Sequence, residues 1–243
     1  MAKFRILKNP PITEAVIDFL VKPSQSFDIK QIEALKNELK DIYPKTEEMR
    51  QQKINIDIKA GGAVKSENDF IGYLVRSADE KNVAQFKRDG FTFSRLRPYT
   101  SWEKVYSEAK KLWGLYVSKT SPEMVTRIAT RYINHFSVPA QAMAFKDYLE
   151  APPVVPEGLP TTLSSFLTRI VIRDNENNLE TNFIQALEPR GASPTFIIDI
   201  DVFENKQVRT DDQIVWERLT KFRGVKNNIF FKAITEKTAQ LFE

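Results

Sequence analysis

The sequence predicts an α+β protein, with antiparallel sheets set against long amphipathic helices. Three observations carry that prediction. Short runs rich in Ile, Val and Phe recur along the chain, closed by Pro, Gly or polar clusters, which is how strands read. Two long segments, from 102 to 116 and from about 212 to the C-terminus, instead place apolar residues every three or four positions, as helices do. The order strand, helix, antiparallel strands, long helix then reads twice, over residues 1–120 and again over 121–243.

Residues 12–21 (ITEAVIDFLV) are the first strand, entered from the extended pair Pro10–Pro11. Over 29–43, Ile29, Ile32, Leu35, Leu39 and Ile42 share one helical face, with Asp28 as N-cap and Pro44 as the stop. INIDIK (54–59) alternates cleanly and leads to a turn at Gly61–Gly62. Strands follow at 70–78 and 83–89, joined by the polar turn Asp79–Asn82. Asp89–Gly90, between VAQFKR and FTFSRL, predicts a two-residue type I′ hairpin, since that turn needs positive φ at both central positions. Pro98 closes the strand, and Thr100 with Glu103 has the spacing of a capping box. The helix behind it carries one apolar stripe: Trp102, Val105, Tyr106, Ala109, Leu112, Trp113 and Tyr116.

The second half opens with a long strand at 124–136 (MVTRIATRYINHF). A proline-rich connection (151–160) leads to strands at 163–174, 179–188 and 195–203. Thr210 and Gln213 suggest another capping box before a closing helix from about Asp212, with Val215, Leu219, Phe222, Ile229 and Ile234 inward and Gly224 at a bend. This element order, strand-helix-strands-helix in each half, resembles the duplicated saddle of TATA-binding-like folds. The expected boundary lies at 118–124, with both halves packed as one unit.

Composition excludes several chemistries. Hydrophobic content is 42%, with 17 Phe, enough for a real core. The absence of cysteine removes disulfides, thiolate nucleophiles and cysteine-held metals, and fits a reducing cytoplasmic compartment. One histidine, His135, rules out a His-rich metal site, and no G-x-S-x-G elbow is present for it to serve. Eight glycines include no phosphate loop and no G-x-G-x-x-G run. The N-terminus lacks an apolar signal core, and no run approaches the ~20 apolar residues of a membrane span. No cofactor, metal or membrane is therefore expected, and enzymatic activity has no signature to support it.

Charge placed inside strands supplies the candidate residues. Arg127 and Arg131 lie four apart on one strand face, and Asp199 and Asp201 share a face two apart. They read as cross-strand ion pairs on a solvent-facing sheet, or as the lining of a phosphate, metal or polar-ligand site. Lys87, Arg88, Arg95 and Arg97 flank the Asp-Gly hairpin with Phe86, Phe91, Phe93 and Tyr99 between them. That mixture fits a core with a solvated rim, or a partner or nucleic-acid surface on which bases stack. A net charge of +4 permits nucleic acid without requiring it.

Seven segments in order carry a family resemblance: PPITEAV (10–16), RSAD (76–79), QFKRDGF (85–91), PYTSW (98–102), RYIN (131–134), DIDVF (199–203) and KNNIFF (226–231). Over nearly its whole length the chain resembles a sporadically distributed bacterial family of cytosolic proteins. The resemblance implies no catalytic residues, because that family carries no agreed activity. Its patchy distribution implies mobile or defence-associated genes with antitoxin-like or immunity-like partners. The leading expectation is a non-enzymatic protein-interaction component of a bacterial defence, toxin–antitoxin or regulatory system, with homo-oligomers allowed. The alternatives are a nucleic-acid module using Arg95, Arg97, Arg127 and Arg131, and a small-ligand binder or enzyme built on the Arg/Asp group.

Overall fold

Alternation in the first strand decides the architecture. In β1 (Ile12–Lys22), Ala15, Ile17, Phe19 and Val21 are buried, while Glu14, Val16 and Asp18 on the other face are only partly covered. The computed structural model describes residues 1–57, 63–138, 145–160, 163–190, 193–210 and 213–243. After β1 come α1 (Ile29–Glu38), β2 (Lys45–Asp57), β3 (Ala63–Arg76), β4 (Asn82–Lys87), β5 (Gly90–Leu96) and α2 (Trp102–Thr120). Then follow β6 (Met124–Ser137), β7 (Phe166–Asp174), β8 (Leu179–Arg190), β9 (Ser193–Glu204), α3 (Ile214–Ala233) and α4 (Glu236–Gln240).

The strands form one sheet in the order β2-β3-β4-β5-β1-β6-β9-β8-β7. Every neighbouring pair is antiparallel. The opening strands of the two expected halves, β1 and β6, pair with each other, Ile17 opposite Thr130, so the sheet is continuous across the boundary. Among the described residues the second half has only a 3-10 turn, Phe145–Asp147, where the first half has α1.

The core joins sheet to helices through aromatic side chains. Phe19 meets Trp113 of α2 at 4.7 Å and Trp216 of α3 at 5.5 Å, so one strand residue touches both long helices. Burying each such side chain contributes about 1.5–3 kcal/mol. Tyr116 of α2 also donates a hydrogen bond to the Lys87 carbonyl at 2.9 Å, fastening the helix to the hairpin end of β4. α2 packs against β5 and β1, and α3 chiefly against β6 and β9.

Local signals held where a side chain has one dominant partner and shifted where two compete. Asp28 caps α1 as expected, in a capping box with Gln31. The helix nevertheless ends at Glu38, so Leu39 is buried beyond its last turn while Ile42 is exposed. At α2 the cap is Ser101, accepting from the Lys104 amide, rather than Thr100. Thr210 and Gln213 form no capping box: Gln213 is itself the N-cap, with helical backbone and no side-chain capping bond, its side-chain amide donating instead to Glu217 at 3.3 Å. Gly224 lies within α3, and the closing helix breaks instead at Ile234, whose extended backbone precedes the Thr235 cap of α4. β2 begins at Lys45, well before the alternating 54–59 run, because pairing with β3 makes a strand of a polar stretch that has no apolar period. Residues 58–59, the Gly61–Gly62 turn and Asp212 lie outside the described residues.

The Asp89–Gly90 hairpin exists, with a different turn. Lys87 pairs with Gly90, leaving Arg88 and Asp89 as the two loop residues. None of Arg88, Asp89 and Gly90 has positive φ, so this is no type I′ turn. Gly90 is needed for space: a Cβ there would sit 2.7 Å from the Phe19 carbonyl oxygen on the adjoining β1. The glycine is a close-approach residue between two strands rather than a turn former.

Candidate functional site

The Arg/Asp group assembles on the sheet face opposite the core. β6 and β9 are in register with Arg131 opposite Asp201, and the ion pairs run diagonally to that register, Arg131 to Asp199 and Arg127 to Asp201. Arg131 grips Asp199 with two bonds, Nε to Oδ1 at 2.8 Å and Nη2 to Oδ2 at 2.5 Å. That hydrogen-bonded pairing raises the Arg131 guanidinium above its ordinary pKa. Arg127 reaches Asp201 at 3.1 Å and also Asp18 of β1 at 2.8 Å, with its guanidinium over the Phe203 ring. The Thr92 hydroxyl donates to Asp18 at 2.7 Å and extends the ladder onto β5. Burial raises the Asp201 carboxyl above its ordinary range, against lowering by Arg127, Asn182 and Arg131.

Asp18 is a member that sequence spacing did not single out, since its place beside Arg127 follows only from the pairing of β1 with β6. Every charge of the ladder is engaged within it. Five cavities among the described residues are lined by none of these side chains.

The basic set around the hairpin is divided by the fold. Lys87 and Arg88 stand at the turn, the latter over the Phe27 ring at 5.9 Å. Arg95 and Arg97 lie at the far end of the seven-residue β5, roughly 20 Å away at strand rise. Arg95 is tied down, donating to Asn82 Oδ1 at 3.0 Å and to the Pro98 carbonyl at 3.2 Å. Phe86, Phe91 and Phe93 are buried in the core, so those rings offer no stacking platform. Tyr99 packs edge-on against Tyr132.

A feature not legible as a site in the sequence is the sheet's outer edge at β7. Its residues pair with β8 from Phe166 opposite Leu187 to Asp174 opposite Leu179. Among the described residues no strand pairs with its other side. Leu167 is 73% exposed, and Ile170, Val171 and Ile172 are exposed as well. The two isoleucines lie on the core side of the sheet, but α3 packs over β6 and β9, and β7 reaches past it. Leu167, Arg169, Val171 and Arg173 share the opposite face. Arg169 donates to Asn182 at 2.9 Å, and Arg173 approaches Glu180 at 3.5 Å. The turn beyond is fixed by Asn177, whose amides hold the Asp174 carboxyl below its ordinary range.

The opposite edge, β2, is built differently. Its described side chains run Lys45, Thr46, Glu47, Glu48, Met49, Arg50, Gln51, Gln52, with Glu47 bound to Arg76 and Glu48 to Arg50. Charged, crowded edges of this kind discourage further pairing, and exposed aliphatic edges invite it.

No protein-family model matches the chain, and no curated protein matches it in sequence. Among the described residues no helix is long and apolar enough to cross a membrane, and no cluster of His, Cys, Asp or Glu is arranged to hold a metal.

Proposed function

We propose that the protein is a non-enzymatic interaction module that takes up an extended segment of another protein as a tenth strand on β7. The observation that carries this reading is the contrast between the two edges of one sheet, β2 polar and charged over its described side chains, Lys45 to Gln52, and β7 carrying exposed aliphatic side chains on both faces. Strand addition supplies main-chain hydrogen bonds for affinity and side-chain contacts for selectivity. Arg169 and Arg173, alternating with Leu167 and Val171, favour a partner segment of alternating aliphatic and acidic residues. A second copy of β7 is the poorer occupant, because antiparallel self-pairing brings the arginines of both strands onto one face.

The setting proposed is the bacterial defence, toxin–antitoxin or regulatory system suggested by the sequence resemblance, in the cytoplasm. The architecture proposed with it is a duplicated unit, residues 1–120 and 121–243, with long helices backing one face. It is supported by β1 and β6 lying side by side while the other strands of each half run outward.

The test is fluorescence anisotropy with a labelled peptide of alternating valine and glutamate and its valine–lysine counterpart. The acidic peptide is expected to bind, and the lysine peptide not. Leu167→Glu with Val171→Glu should weaken binding about tenfold or more, since each 1.4 kcal/mol is tenfold, and Met49→Glu on β2 should leave it unchanged. Binding that survives the β7 changes, or no binding by the acidic peptide, removes the reading. A dimer in sedimentation that the same two changes dissolve would replace the foreign segment with a second copy.

A further inference from the structure

Lys226 lies on the inward face of α3, buried at 8% exposure, where an apolar residue is expected. Its ammonium sits 3.8 Å from the centre of the Tyr132 ring. Among the described residues it has no carboxylate partner and no hydrogen-bond acceptor. A buried charge without a counter-charge is among the costliest arrangements in a fold, and such a group either gives up its proton or is completed by a partner. Beside it opens a cavity of about 290 Å³, lined by Lys226 together with Trp102, Phe230 and Phe231.

The cavity is asymmetric in charge. Arg5 and Lys8 of the N-terminal segment, Arg223 of α3 and Lys226 face it, against Glu103 of α2 as the one carboxylate in its lining. Two of these cations are already occupied: Arg5 bonds Glu236 and Glu243, and Arg223 lies 3.8 Å from Glu103 and over the Trp102 ring. Two phenols complete the set. Tyr99 lines the cavity, and the buried Tyr132 hydroxyl beside it has no hydrogen bond of normal geometry; burial, and after it the neighbouring Tyr99, raises the pKa of that phenol. The polar group still lacking an anion at the apolar end is Lys226.

We infer that this cavity binds a small organic carboxylate, its apolar body against Trp102, Phe230 and Phe231 and its charge on the Lys226 ammonium. A single desolvated cation among rings suits a monoanion with an apolar body, whereas inorganic phosphate calls for several donors at once. The ligand supplies the counter-charge that the fold withholds. Burial, with repulsion from Arg223, lowers the free Lys226 ammonium to about 7, so binding a carboxylate above that pH draws a proton from solvent. Neither Lys226 nor the cavity belongs to β7, so this inference stands apart from the strand-addition reading.

Benzoate is the probe, with benzamide as its uncharged counterpart, titrated calorimetrically at pH 6 and pH 8. Benzoate should bind saturably, more tightly at pH 6, with proton uptake at pH 8 revealed by buffers of different ionisation heat. Benzamide on the unaltered protein and benzoate on Lys226→Met should each bind about tenfold or more weakly, the ratio that loss of one charged hydrogen bond gives. The benzamide arm needs no variant, so it stands whatever the substitution does to folding. Equal affinity of benzamide, an unchanged Lys226→Met, or no saturable binding of benzoate overturns the inference.

Discussion

Arg127 and Lys226 are two cations on opposite faces of one sheet, the first part-exposed and the second buried beneath α3, and they are treated in opposite ways. Arg127 faces two carboxylates from two different strands, Asp18 and Asp201. Lys226 faces a tyrosine ring and a cavity. The contrast follows from the kind of element that carries each charge. Strand neighbours present side chains at matching two-residue intervals, so charges on adjacent strands meet and neutralise one another. A lysine on the inward stripe of a helix meets whatever the sheet places beneath it, here an aromatic ring.

The same chemical change should therefore act with opposite sign at the two sites. Arg127→Met strands Asp18 and Asp201 together without a cation and is expected to destabilise by roughly 2–3 kcal/mol, below the full cost of breaking a buried pair because the site is part-exposed. Urea unfolding at pH 7 reads the loss, and a loss below about 0.5 kcal/mol would place the ladder among ordinary surface pairs.

Lys226→Met should instead stabilise, by about 1–3 kcal/mol at pH 6. The sign of its pH dependence follows from proton occupancy. Between about 7 and 10.5 the unfolded chain holds a proton on Lys226 that the folded protein has released, so stability of the unaltered protein rises with pH across that window. Below it both states are charged and the fold carries the whole desolvation penalty. The advantage of the methionine variant should accordingly shrink toward pH 10. A gap that is flat from pH 6 to pH 10 would mean Lys226 has a partner in solution.

Asp18→Asn alters the same cluster from the acidic side. Arg127 keeps Asp201, so the expected cost is about 1–2 kcal/mol, less than for Arg127→Met. A cost equal to that of Arg127→Met would make Asp18, and not Asp201, the dominant partner. The smallest effect belongs to Arg50→Met at the exposed pair on β2, within about 0.5 kcal/mol, and thermal melting of this variant calibrates the others.

Particular residues show how far sequence patterns reach. The strands at 12–21, 124–136 and 195–203 were legible because they are rich in Ile, Val and Phe and alternate over most of their length, as from Ala15 to Val21 and from Thr130 to Phe136. Helix α2 was legible because seven apolar residues mark one face, six of them buried. The start of β2 was not, because Lys45–Lys53 owes its extended form to β3 and not to any period of its own. Ser101 outranked Thr100 as a cap although both carry a hydroxyl, a choice made by where the helix axis begins. Of the candidate residues, Arg127, Arg131, Asp199 and Asp201 came together as their spacing suggests, while Lys87 and Arg88 were parted from Arg95 and Arg97 by the length of β5. Lys226 was present as a signal: it continues the stripe Val215, Leu219, Phe222 and precedes Phe230 by four.

By itself the sequence determined the α+β class, the antiparallel strands and the faces on which charge and apolar residues lie, since those depend on periods of two and of three to four along a local chain. Packing alone set β1 and β6 side by side to join the strands into one sheet, brought Asp18 to Arg127, left β7 the outermost strand among the described residues, and turned Lys226 toward a ring and a cavity. Each of these depends on residues far apart in the chain whose register and neighbours are set by packing, and no local period encodes which strand will lie beside which.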